Sequence, residues 1–153
     1  MMLELHNVTV GGVHSLSLTL SNGQLAGLTG AKGVGKTALL KAVVGLRAVD
    51  SGHICIDGEL LTPKSAPYFR RRMAYVPQHL VVPEGYNRVP TGYVELLKKA
   101  IATGRPLLVV DEPEEELSVE DQQTVDRLLR EAAGRGALVL AVNERIVENQ
   151  VRL

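Results

Sequence analysis

The stretch Gly30-Ala-Lys-Gly-Val-Gly-Lys-Thr37 constrains this chain more than any other. It has the form G-x-x-x-x-G-K-[ST], a loop whose glycines let successive backbone N–H groups turn inward on an anion. Lys36 supplies a cation for the β- and γ-phosphates of a nucleotide, and the Thr37 hydroxyl is placed to meet Mg²⁺. The flanks suit that reading. Gln24 to Leu28 is a short apolar run expected to form a buried strand, and Lys36 to Val44 reads as a helix, so the loop opens at a helix N-terminus. The binding set expected from this pattern is Gly30, Ala31, Lys32, Gly33, Val34, Gly35, Lys36 and Thr37.

Upstream, Leu3 to Val10 and Val13 to Leu20 alternate apolar and polar residues around Gly11-Gly12, the pattern of an antiparallel hairpin. Downstream, His53 to Asp57 and Met73 to Val76 read as short strands, with a loop from Pro63 to Pro67 and three solvated arginines, Arg70 to Arg72, at the second strand's entrance. Cys55 lies in an apolar run and reads as a small buried hydrophobe. The prolines between His79 and Pro90 exclude a long helix there. Thr91 is the expected N-cap of a helix from Gly92 to about Thr103. Ser118 with Asp121 forms a capping pattern for a helix that Gly134 ends. Pro106 to Val110 and Ala137 to Val142 are continuous apolar runs, the mark of central parallel strands.

The second chemical signal ends the first of those runs. Asp111 and Glu112 are delivered at the C-terminal end of an apolar strand, where open α/β sheets bind ligands. Asp111 there suits Mg²⁺, and Glu112 suits a water that attacks phosphorus.

Four stretches, GAKGVGKT, SGHICIDGE, RRRMAYVPQ and LLVVDEP, occur in that order, and together the sequence resembles the ATP-binding cassette (ABC) ATPases over nearly its whole length. The resemblance implies an α/β fold: a P-loop NTPase core with a mostly parallel sheet flanked by helices, plus a small N-terminal antiparallel β subdomain. It implies ATP and Mg²⁺ as ligands, with Thr37, Gln78 and Asp111 about the metal and Glu112 as the catalytic carboxylate. Gln78 would sense the attacking water. The strand Ala137 to Val142 would lie between the phosphate-loop strand and the strand ending at Val110.

The sequence also departs from the family pattern. Asp111 follows Gln78 by only 33 positions, whereas the family fits a helical subdomain and an LSGGQ signature in that interval. Residues 1–153 therefore read as one nucleotide-binding domain with the helical subdomain deleted between Gln78 and Asp111. The signature position falls on Asn87 to Thr91, which lacks the paired glycines and the serine. No aromatic follows Val10 to stack on a base. Ser118 stands where the family has the aspartate of its D-loop, and Asn143 stands at the switch histidine, able to hydrogen-bond a phosphate or water but not to carry a proton charge.

The expected function is ATP binding with slow Mg²⁺-dependent hydrolysis. The alternatives are a nucleotide-dependent switch without useful turnover and a small-molecule kinase, for which no separate acceptor site is seen. The apolar segment His79 to Tyr86 is the expected docking surface for a protein partner, with the loop folding over the core as the competing reading. Lys+Arg and Asp+Glu number 17 each, so no net charge argues for a nucleic-acid partner. A single cysteine excludes an internal disulfide framework. With neither a signal-peptide pattern nor a bilayer-length apolar run, a cytoplasmic location is expected, with any membrane reached only through a partner. Oligomeric state is not legible.

Overall fold

The structure is a computed structural model of the 153-residue chain and describes residues 1–78, 92–113 and 117–153. Two sheets build it. The first is antiparallel, with β1 (Met2–Val10), β2 (Val13–Ser21), β4 (Ser51–Ile56) and β5 (Glu59–Leu61) in the order β2-β1-β4-β5. The second is parallel, with β3 (Leu25–Thr29), β6 (Met73–Val76), β7 (Leu107–Asp111), β8 (Leu138–Val142) and β9 (Val151–Arg152) in the order β6-β7-β8-β3-β9. Helices α1 (Lys36–Val43), α2 (Ala66–Phe69), α3 (Tyr93–Ala102) and α4 (Val119–Gly134) complete the described fold.

The two apolar runs become central strands for the reason expected: every residue of β7 and β8 is buried. Alternate side chains feed two cores. Leu107, Val109, Leu138 and Leu140 pack with α1 and the inner face of the antiparallel sheet. Leu108, Val110, Val139 and Ala141 pack with Leu97 of α3 and with Val125 and Leu129 of α4. Strand β8 pairs in parallel with β3 (Leu28↔Val142) and with β7 (Val110↔Ala141). The strand order expected between Leu28 and Val110 is thus the one found.

Local signals mark most boundaries. Ser118 Oγ accepts the backbone N–H of Asp121 at 3.1 Å, which satisfies one orphan donor at the start of α4. The N-cap of α3 is Gly92; Thr91 lies outside the described residues. Three details differ from the sequence reading. Residues in the expected Pro63–Pro67 loop run into the short helix α2, because Pro67 sits in its first turn, where a missing N–H costs nothing. Arg70–Arg72 form one 3₁₀ turn, and Arg72 pairs with Asp57 at 3.0 Å rather than being only solvated. Cys55 is half-buried, not a core residue: β4 sends Ile54 and Ile56 inward and Cys55 to the outer face. Strands β5 and β9 carry too few residues to show a period.

Candidate functional site

The loop 30–37 follows β3 directly and opens α1. Its last glycine, Gly35, is the N-cap of α1 with φ +110°, in the left-handed region that favours glycine. The hairpin turn at Gly11-Gly12 rests on the loop: a Cβ on Gly12 would come within 2.4 Å of the Val34 carbonyl oxygen. The antiparallel sheet therefore supports the loop by backbone contact. Lys36 Nζ donates to the Gly30 carbonyl at 2.7 Å, so the ammonium lies across the loop.

Around this loop opens a cleft of about 800 Å³, lined by Gly30, Lys36 and Thr37, by Gln78 and Glu112, and by Asn143 and Arg145, among others. It lies at the C-terminal ends of β6, β7 and β8, whose pairing (Val76↔Val110, Asp111↔Val142) brings Gln78, Glu112 and Asn143 side by side. Of the expected binding set, Gly30, Lys32, Gly33, Gly35, Lys36 and Thr37 line the cleft. Ala31 and Val34 do not; Ala31 accepts the Val34 N–H at 3.1 Å to make the loop's internal turn.

Asp111 is fully buried, and Thr37 donates its hydroxyl to Asp111 Oδ2 at 2.8 Å. A hydroxyl that spends its hydrogen on a carboxylate keeps its lone pairs for a cation. Thr37, Asp111 and the amide oxygen of Gln78 offer hard oxygen donors of the kind Mg²⁺ takes, so these residues fit that metal. Tyr93 Oη donates to the Asp111 carbonyl at 2.9 Å and ties α3 to the end of β7. Burial, reinforced by the charges of Glu112 and Asp111, pushes the Tyr93 phenol far above its usual range. Gln78 Nε2 donates to the Glu112 carbonyl at 3.3 Å.

The feature with no signal in the sequence is Arg145. Its Nη1 donates to Glu112 Oε2 at 3.0 Å and its Nη2 makes a short bond of 2.5 Å to Glu112 Oε1, a two-pronged pair. Nε and Nη2 bond both oxygens of Asp126, each at 3.0 Å. Burial alone would lower the guanidinium pKa, but the hydrogen bonds to Glu112 and Asp126 outweigh it and hold the group above its ordinary value. Asn143 belongs to the same network. Its Nδ2 donates to Asp126 Oδ1 at 2.9 Å, and its Oδ1 accepts the Arg145 backbone N–H at 2.8 Å. Both ends of the amide are thus engaged beside the cleft. Asp126 comes from the middle of α4, 19 positions before Arg145, and no local pattern links the two. The segments His79 to Tyr86 and Asn87 to Thr91 lie outside the described residues.

A parallel sheet whose strand runs through a glycine turn into a helix, with a buried aspartate opposite the loop's threonine, defines a P-loop nucleotide-binding protein. Comparison with known proteins narrows this. Residues 13–131 match the ABC transporter family model. An uncharacterized ABC transporter ATP-binding protein, YphE of Escherichia coli, is 22% identical over 189 aligned positions covering 89% of this chain and 38% of the relative. The sulfate/thiosulfate import ATP-binding protein CysA of Methylococcus capsulatus is 37% identical over 84 positions, 52% of this chain and 24% of the relative. The chain thus spans well under half the length of these curated relatives. Among solved structures, an ATP-binding subunit of an ABC transporter superposes with a TM-score of 0.78 at 19% identity, covering 100% of this chain and 86% of that one. A dimeric ATP-binding cassette bound to ADP and Pi gives 0.77 at 17%, covering 99% and 94%. The chain belongs to the ABC transporter ATP-binding family, and its fold is the family's nucleotide-binding core. Among the described residues, no helix is long and apolar enough to cross a membrane.

Proposed function

We propose that this chain is a shortened ABC-type subunit that holds MgATP on the 30–37 loop and hydrolyses it slowly. The observation that carries the slow rate is the two-pronged Arg145–Glu112 pair. A carboxylate that orients an attacking water needs an oxygen free to accept its proton. Here both oxygens accept hydrogen bonds from one guanidinium, so neither is free to take that proton. Lys36 would meet the β- and γ-phosphates, the loop N–H groups would cradle them, and Gln78 would position water beside Glu112. Mg²⁺, held by Thr37, Asp111 and Gln78, would supply charge neutralisation at the phosphates.

The shortening falls, on this reading, between Gln78 and Asp111; its support is that the alignment to the E. coli relative spans 189 positions, more than the 153 residues of this chain, as a missing segment requires. The fourth element of the reading is a protein partner, docked through His79 to Tyr86. Charge reversal at Val81 and Val82 would abolish its pull-down and leave the fold intact; unfolding would instead make these residues part of the core. A second reading, a nucleotide-dependent switch without useful turnover, rests on the same locked carboxylate.

Single-turnover hydrolysis separates the two. The parent protein is expected to bind MgATP but to turn over far below the common enzyme range of about 1–10³ s⁻¹. Glu112→Gln removes the remaining hydrolysis with ATP affinity unchanged. Arg145→Lys keeps the charge, loses the planar two-pronged bond, and raises the rate. Brisk turnover by the parent would reject the locked carboxylate. Unchanged slow turnover in Glu112→Gln would leave the switch reading in the lead.

A further inference from the structure

A second cluster of chemistry-bearing side chains lies away from the nucleotide cleft, on the outer face of the antiparallel sheet. Strand β1 presents Glu4 and His6 there, and β4 presents His53 and Cys55. The register pairs them directly: Glu4↔Cys55 and His6↔His53. The residues between them, Leu5 and Ile54, are buried in the core on the opposite face. The period-2 alternation of two neighbouring strands therefore gathers two imidazoles, one thiol and one carboxylate onto one patch.

The geometry is close to that of a metal centre. Donor atoms of His6, His53 and Cys55 all lie within 4.8 Å of one another. Around a tetrahedral Zn²⁺, with Zn–N of about 2.0–2.1 Å and Zn–S of about 2.3 Å, donor atoms stand about 3.3–3.6 Å apart. Small side-chain rotations close that gap. The imidazole rings stack with centroids 4.7 Å apart and planes 24° from parallel, so a cation can draw both nitrogens inward without rearranging the strands. Glu4 Oε2 lies 2.9 Å from His6 Nε2. A carboxylate on one ring nitrogen fixes the tautomer and leaves the other nitrogen's lone pair for a metal.

We propose that His6, His53 and Cys55 form a three-ligand site for one divalent cation of the zinc class, with Glu4 orienting the His6 ring. Two imidazoles and a thiolate suit borderline-soft ions and not Mg²⁺ or Ca²⁺, which take oxygen donors. The site is built on strands rather than loops, which fixes its ligands. His53 is exposed and His6 and Cys55 half-buried, so a cation can enter from solvent, and water fills the fourth position. The register of β1 against β4 shifts immediately beyond the His6↔His53 pair and resumes at Thr9↔Ser51, so the ladder is interrupted beside the site. Bulges of this kind recur where a side chain is re-aimed.

The test is titration of the full, tag-free chain with Co²⁺, then Zn²⁺. Cys55 is the only cysteine, so a thiolate-to-Co²⁺ charge-transfer band reports on this site alone. We expect one Co²⁺ per chain with tetrahedral d–d bands, displaced by Zn²⁺, unaffected by excess Mg²⁺ and retained in Asp111→Asn. Cys55→Ser loses the charge-transfer band, His6→Ala combined with His53→Ala loses metal binding, and Glu4→Gln weakens it roughly tenfold or more. Zn²⁺ raises the thermal midpoint of the parent but not of the double-histidine variant. Absence of the band at saturating Co²⁺ overturns the proposal. So does an unchanged band in the double-histidine variant, which would mark a lone thiolate, or a band requiring two chains per metal.

Discussion

Lys36 shows how one side chain carries a site. Its ammonium already lies across the 30–37 loop on the Gly30 carbonyl, the position from which it meets an anion held by the loop. Lys36→Ala is expected to weaken MgATP binding by about 1.5–3 kcal/mol, the scale of a hydrogen bond to a charged group; calorimetry checks it, and equal affinities would contradict the phosphate-loop reading. Arg145 is the converse case. Four of its N–H donors are spent on two carboxylates from different elements. Lys36 was legible because its role depends on a contiguous glycine pattern. Arg145 was not, because its role exists only once Glu112, at the end of β7, and Asp126, in α4, are brought to it.

At the scale of elements, the hairpin and the phosphate loop form one unit. The turn between β1 and β2 has no side chain at Gly12, and its backbone lies against Val34. Gly12→Ala would set a methyl group 2.4 Å from a carbonyl oxygen on rigid backbone. The expected loss is about 1–3 kcal/mol of stability, the range for overpacking, together with weaker nucleotide binding as the loop shifts. Urea unfolding and ATP calorimetry on the same variant check both; if neither moves, the turn is not the loop's support. The hairpin was readable from alternation around Gly11-Gly12. Its contact with a loop more than twenty residues away was not, since turn chemistry is local. The same gap explains Cys55, whose run looked uniformly apolar until β4 turned alternate residues outward.

Two expectations belong to the molecule as a whole. None of the described residues lining the cleft is aromatic, so affinity is expected to come mainly from the triphosphate. ATP and GTP are expected to bind within about tenfold of each other, a gap of ~1.4 kcal/mol; competition calorimetry measures it, and a hundredfold preference would require a base platform elsewhere. The second concerns alkaline stability. Burial and then the Glu112 and Asp111 charges raise the Tyr93 phenol above the value of about 10 that it has in an unfolded chain. A raised folded-state pKa means that the fold favours the neutral phenol. Its contribution is intact below about pH 10 and is lost progressively as pH rises beyond that, when the unfolded chain ionises first. Urea midpoints should fall above pH 10, and less steeply in Tyr93→Phe. Equal slopes would remove Tyr93 as the cause.

The phosphate loop, the buried strands β7 and β8, the α4 cap at Ser118 and the family resemblance are all written in the order of the residues. Each depends on residues adjacent in the chain or on a short period, where local geometry dictates the pattern. Tertiary structure decided what Glu112 pairs with and which outer-face residues meet across β1 and β4; the place of β8 between β3 and β7 was legible only through the family resemblance. Those depend on strand register and helix packing, which join residues 15 to 50 positions or more apart. The Glu112–Arg145 pair and the His6–His53–Cys55 cluster come from that second source. Both arise because a parallel or antiparallel ladder fixes which side chains stand side by side, and no single segment carries that information.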